Sequence, residues 1–185
     1  MAENSENNKK LLSQIKNSYG KVSYSLTAHE KEIQFLETLQ RGIKLLQIVL
    51  SAISAGSIIS ILFGQGLKAQ ITASIVSLIL LVLNSITLKF DLAADINRHK
   101  DITNRLWLIR ERYLSLITDF DILDKYKIRN LRDELMNKTN EIYSYAPKTS
   151  SRSYKKTQKA LKVDEEQFFT VEELDQLLPP NLRVK

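Results

Sequence analysis

Two long stretches without a charge limit what this chain can fold into more than any other feature. Leu45 to Phe63 runs for 19 residues and Ala69 to Leu88 for another 20. A helix crossing ~30 Å of hydrocarbon needs about 20 apolar residues, so each stretch is long enough to cross once. Between them Gly64-Gln65-Gly66-Leu67-Lys68, with two glycines and a charge, reads as a tight turn at the far headgroup level. The mean hydropathy of −0.21 resembles that of a soluble protein. That average hides a sharp segregation, because the apolar block lies between strongly charged flanks. A soluble bundle burying both stretches would need more polar helix around them than 185 residues leave. Forty-two mostly polar residues precede Ile43, where the apolar block opens, which argues against a cleaved signal sequence. Lipid is therefore the expected solvent.

Lysine and arginine near the ends of the spans set the orientation. Lys31, Arg41 and Lys44 precede the block, Lys89, Arg98, Lys100 and Arg105 follow it, and the turn offers only Lys68. Seven basic residues against one place both termini in the cytoplasm. The net charge of +6 is largely explained by these flanks.

The spans carry two further patterns. Ala52, Gly56 and Ser60 recur every four residues, a small-residue face where another backbone can approach closely. Gln47, Ser51 and Ser54 form a polar stripe on the first span, and Ser77 and Asn84, with Ser74, mark the second. A side-chain amide in lipid is costly without a partner, so Gln47 and Asn84 are expected to face protein or water. Either they hold the hairpin or an oligomer together, or copies assemble with these residues lining a pore.

Outside the membrane the apolar residues take helical spacing. Leu12, Ile15, Tyr19, Val22, Leu26, His29, Ile33 and Leu36 step by three and four, as do Leu92, Ile96, His99, Ile102, Leu106, Ile109, Tyr113, Leu116 and Phe120. The spacing predicts two amphipathic helices that leave the bilayer and pack seam to seam. Gly20 weakens the first without breaking it. Three aspartates between Thr118 and Asp124 suit a turn and a helix start, and Pro147 ends the helix carrying Ile128, Leu131, Leu135, Ile142 and Tyr145. Counting ~1.5 Å per residue sets His29 about 24 Å and His99 about 15 Å from their spans, so the two are not expected to meet within one subunit. A pH switch or a metal pair is conceivable, but seam histidines bonded to neighbours are commoner. Trp107 lies beside the seam, where it could anchor an interface.

From Pro147 to Lys162 the chain is polar and basic, with Arg152, Lys155, Lys156, Lys159 and Lys162. It reads as a solvated linker, with anionic lipid or RNA as other contacts. Thr170 and Glu173 make a capping box that opens a short helix through Leu178. The apolar residues around it (Phe168, Phe169, Val171, Leu174, Leu177, Leu178) are expected to dock on the bundle or on a partner. The expected fold is all-α, divided into an N-terminal cytoplasmic helix (1–42), a transmembrane hairpin (43–89), a cytoplasmic helical hairpin (90–146) and a basic linker with a docking helix (147–185).

Catalysis is not expected. There are no cysteines, no phosphate-cradling glycine loop in a strand–helix context, and no helical metal-ligand spacing. No cofactor is expected either.

This order of elements, with Arg98-His99 and Trp107 on the helix after the hairpin, resembles the SLATT superfamily of bacterial two-transmembrane effectors. The segment FDLAADINRHKDITNRLWLIRERYLSLITDF (Phe90 to Phe120) looks like that family's post-hairpin helix. The YKKTQKALK and ELDQLLPPNLR stretches resemble the branch associated with reverse transcriptases. The resemblance implies an effector of antiphage defence in the bacterial inner membrane, oligomeric and held inactive until infection, which then permeabilises that membrane. Control by a partner reverse transcriptase with its RNA or DNA is the implied route; a nucleotide trigger is possible but less favoured. The alternative is a non-conducting anchor that recruits such an enzyme or nucleic acid through the C-terminal tail.

Overall fold

A computed structural model describes residues 2–62, 66–167, 169–177 and 179, and every regular element among them is helical. Helix α1 (Ala2–Leu62) is a single 61-residue rod. Ala, Leu, Gln, Glu and Lys, all good helix formers, recur along it and no proline interrupts it, so bundle and membrane span share one axis. Gly20 sits inside the rod without breaking it, and a side chain there would meet nothing within 4 Å. The second span begins earlier than its charge-free stretch, as α2 (Gly66–Lys89). Gly66, Leu67 and Lys68 of the expected turn thus form its first turn, and Gly64 and Gln65 lie outside the described residues.

The helix is interrupted at Phe90 and Asp91. The Asp91 carboxylate accepts the Ala94 N–H at 2.9 Å, capping α3 (Leu92–Thr118). A short aspartate turn leads to α4 (Lys125–Tyr145), whose N-terminus is capped by Asp124, and Ala146, just before Pro147, closes it. Outside the bilayer α1, α3 and α4 enclose one core. Leu11, Ile15, Val22 and Leu26 of α1 meet Ile102, Leu106, Ile109, Tyr113, Leu116 and Phe120 of α3 or the following turn, and Ile128, Leu135 and Ile142 of α4. The two heptad stripes therefore pack against each other as their spacing predicts.

The basic segment is not a linker. Residues Ser151–Lys162 form α5, N-capped by the Ser150 hydroxyl at the Ser153 N–H. This helix docks on α1 through Ser153, Thr157 and Ala160, which are at most 1% exposed. A last turn, α6 (Val171–Leu177), starts at the expected capping box: Thr170 N–H donates to Glu173 and Glu173 N–H donates to the Thr170 hydroxyl. Phe169, Leu174 and Leu177 remain exposed, so the bundle does not cover them. Phe168 and Leu178 lie outside the described residues.

The two spans have no protein around them. Nothing in the most apolar 18-residue stretch of α1 is buried, and only 6% of the corresponding stretch that begins in α2. Leu45, Ile48, Leu78 and Leu81 are each more than 60% exposed. The core helices of a soluble bundle would be covered. Roughly 25 cal/mol per Å² of apolar surface left in water would be a prohibitive cost for so many side chains, whereas lipid removes it.

Candidate functional site

Three polar features interrupt this apolar and helical scaffold, at increasing distance from the membrane. The first lies within it. Facing residues of the hairpin are half-buried or buried: Ile43, Gln47, Leu50, Ser54 and Ser57 on α1, and Ala69, Ala73, Val76, Leu80, Leu83 and Thr87 on α2. Gln47 Nε2 donates to Asn84 Oδ1 at 2.9 Å. The two amides thus satisfy one another inside a single hairpin, which is how lipid-embedded polar groups hold helices together. Of the other candidates, Ser54 is half-buried on this seam, while Ser51 and Ser77 are exposed on the outer faces. Neighbouring hydroxyls bond back to their own helix, as Ser57 does to Ile53 and Ser74 to Gln70. Ser51, Ser54 and Ser77 form no such bond among the described residues. Of the small-residue face, Ala52 and Gly56 are turned outward and exposed, and a side chain at Gly56 would meet nothing within 4 Å, whereas Ser60 is half-buried and donates to the Gly56 carbonyl at 3.0 Å.

The second feature is the membrane boundary, where an open cleft of about 260 Å³ lies between Lys44, Gln47, Thr87, Phe90 and Asp91. It is the space left by the α2–α3 break.

The third is a buried polar junction between α1, α3 and α5. His29 and His99 meet with their Nδ1 atoms 2.7 Å apart, each only 4% exposed. This overturns the expectation that the two are too far apart. Gln47 and Asn84 fix the register of the hairpin; 18 residues separate Gln47 from His29 and 15 separate Asn84 from His99. The break at Phe90–Asp91, where the Leu92 N–H bonds back to the Phe90 carbonyl at 3.0 Å, interrupts the regular helical rise between Asn84 and His99, so a count at ~1.5 Å per residue does not give their spacing. Counting from the ends of the charge-free stretches missed it.

At a separation of 2.7 Å one imidazole must donate and the other accept through an unprotonated Nδ1, so the two cannot both be charged, and burial favours the neutral form of each. Burial, then the facing His99, lower the His29 pKa from 6.5 to about 4. Burial lowers His99 as well, against the opposing pull of Glu32 and Asp95. Among the described residues no group of three or more His, Asp or Glu is placed to hold a metal ion, so the pair supplies two nitrogens and no further ligand. Leu106 and Tyr113 continue the seam beyond it, both fully buried.

Around the pair, α5 is clamped to α1. Glu32 accepts the Ser150 N–H at 2.7 Å. Burial would raise its pKa, but the hydrogen bonds from Ser150 and Ser153 outweigh it and hold the carboxyl below its usual range. Lys31 pairs with Glu166 at 2.7 Å, Gln167 donates to Thr27 at 3.0 Å, and the Arg152 guanidinium stacks 4.5 Å over Phe35. The sequence reading missed this contact. Its available signal was the 153, 157, 160 spacing of small residues after a Ser150 cap. Trp107 is 53% exposed on the outer side of α3.

No curated protein and no solved structure matches the chain. A family match covers residues 11–173, from the first turns of α1 into α6, and the family is described as SMODS and SLOG-associating 2TM effector domain family 4.

Proposed function

This chain belongs to the SMODS and SLOG-associating 2TM effector domain family 4, a family of membrane effectors in defence systems, and from that premise we propose that it forms a pore or lesion in the bacterial inner membrane when triggered through its cytoplasmic helices. The observation carrying this reading is the unbroken α1 rod. A tilt or rotation imposed on it by the bundle reaches the bilayer without passing a hinge, whereas α2 and α3 are separated by the break at Phe90–Asp91. Several copies would assemble through the outward Ala52–Gly56 face, with Ser51 and Ser77 turned to the resulting lumen. Gln47 and Asn84 would keep each hairpin closed. The excess of lysine and arginine on the bundle side supports cytoplasmic termini.

Inducible expression in bacteria loaded with a voltage-sensitive dye tests this during phage infection. Depolarisation is expected, and Ser51→Leu with Ser77→Leu should abolish it while membrane insertion persists. Cells that stay polarised despite good insertion of the wild-type protein would favour the non-conducting anchor.

A further inference from the structure

The docked face of α5 is made of Ser153, Thr157 and Ala160 against Thr27 and Ala28 of α1, all at most 5% exposed. The outward face carries Lys155, Lys159 and Lys162, flanked on one edge by Lys156 and by Arg152, whose guanidinium lies over Phe35, all exposed, and on the other edge by Tyr154, 50% exposed. Only Lys159 has an acidic partner among the described residues, Asp164 at 3.6 Å. Like charges three and four residues apart each cost a helix a few tenths of a kcal/mol. A stripe that violates charge balance on an otherwise well-anchored helix points to a missing anion.

The membrane is too far away to supply it. Of the α1 residues that hold α5, Phe35 is nearest the bilayer and stands ten residues, or ~15 Å, before Leu45; Thr27 stands ~27 Å before it. The headgroup layer adds about 6 Å beyond the hydrocarbon. Most of the lysines therefore lie more than a Debye length of ~8 Å from the lipid charges. Their own arrangement favours a phosphate polymer over an acidic protein. Lys155, Lys159 and Lys162 form a ridge of regularly spaced cations, and Tyr154, tilted against Tyr24 at 5.4 Å, leaves part of its ring beside them. Cations tracking a backbone next to a stackable aromatic ring are what single-strand binding uses.

We propose that the outward face of α5 is a docking surface for a single strand of nucleic acid, held on the cytoplasmic bundle well clear of the bilayer. The surface is separate from the spans and does not require that they conduct. A strand seated there would neutralise the stripe and lock α5 onto α1 beside the His29–His99 junction.

The test is fluorescence anisotropy of labelled 20-nucleotide single-stranded RNA and DNA with the full chain in phosphatidylcholine nanodiscs. Contact with four or five phosphates predicts a log-affinity against log-salt slope of about −3. Lys155→Gln with Lys156→Gln and Lys159→Gln should weaken binding at least tenfold and flatten the slope, while tryptic protection of the 147–150 connection shows that α5 stays docked. Affinity should be retained in phosphatidylglycerol nanodiscs. Unchanged affinity in the triple variant, tighter binding of polyglutamate than of either strand, or loss of strand binding in anionic nanodiscs would overturn the proposal. Each readout comes from purified protein, so failure here leaves the pore reading standing.

Discussion

Two hydrogen-bonded pairs, one in lipid and one in the bundle, carry most of the specific chemistry of this chain. Gln47 and Asn84 are each other's partner in a medium that offers no other. A double-mutant cycle with Gln47→Leu and Asn84→Leu should give a coupling of about 0.6–1.7 kcal/mol, measured by unfolding in detergent micelles. Zero coupling would mean that the amides find other partners. The His29–His99 pair sets a pH dependence whose sign is fixed by its burial. His29 titrates at about 4 when folded against 6.5 when free, so unfolding takes up a proton between those values. Its contribution is therefore complete above pH ~6.5 and is lost as the pH falls toward 4. His99 is shifted in the same direction. Thermal unfolding from pH 7.5 to pH 4 should show the wild type losing more stability than a His29→Leu, His99→Leu variant. Parallel profiles would contradict the buried neutral pair. His99→Ala alone, which leaves His29 buried without its partner, should cost about 1–3 kcal/mol at neutral pH.

Among the helices, what sequence could and could not reveal follows from which signal each one carries. The spans and the α1 and α3 stripes were legible because leucine, isoleucine and tyrosine at heptad spacing report burial directly. The α5 dock was not, because Ser153, Thr157 and Ala160 bury almost no apolar surface and the lysines opposite mimic a linker. The meeting of His29 with His99 was hidden for another reason: it depends on the break in the helix at Phe90–Asp91, which no periodicity shows. Packing through small residues leaves no room, so Ala160→Leu should overpack the α1–α5 contact. A cost of about 1–3 kcal/mol and rapid tryptic cleavage near residues 147–150 are the expected outcome. Gly20→Ala works in the opposite direction. With open space at that position, it should stabilise α1 by about 1 kcal/mol in thermal unfolding; destabilisation would reveal a bend that the continuous rod lacks.

Considered as a whole, the molecule is a helical bundle mounted on a bare apolar hairpin, with α1 belonging to both. That arrangement makes sense only if the hairpin crosses the bilayer and returns, leaving Lys68 on the far side and the bundle on the near one. The absence of native cysteines permits a direct measurement: single cysteines at Lys68, Ile48 and Lys162, treated in spheroplasts with a membrane-impermeant maleimide before and after lysis. Lys68→Cys should label in intact spheroplasts, Lys162→Cys only after lysis, and Ile48→Cys in neither case. Labelling of Ile48→Cys in a detergent-free soluble fraction, or of Lys68→Cys only after lysis, would contradict the two-span hairpin on which the account depends.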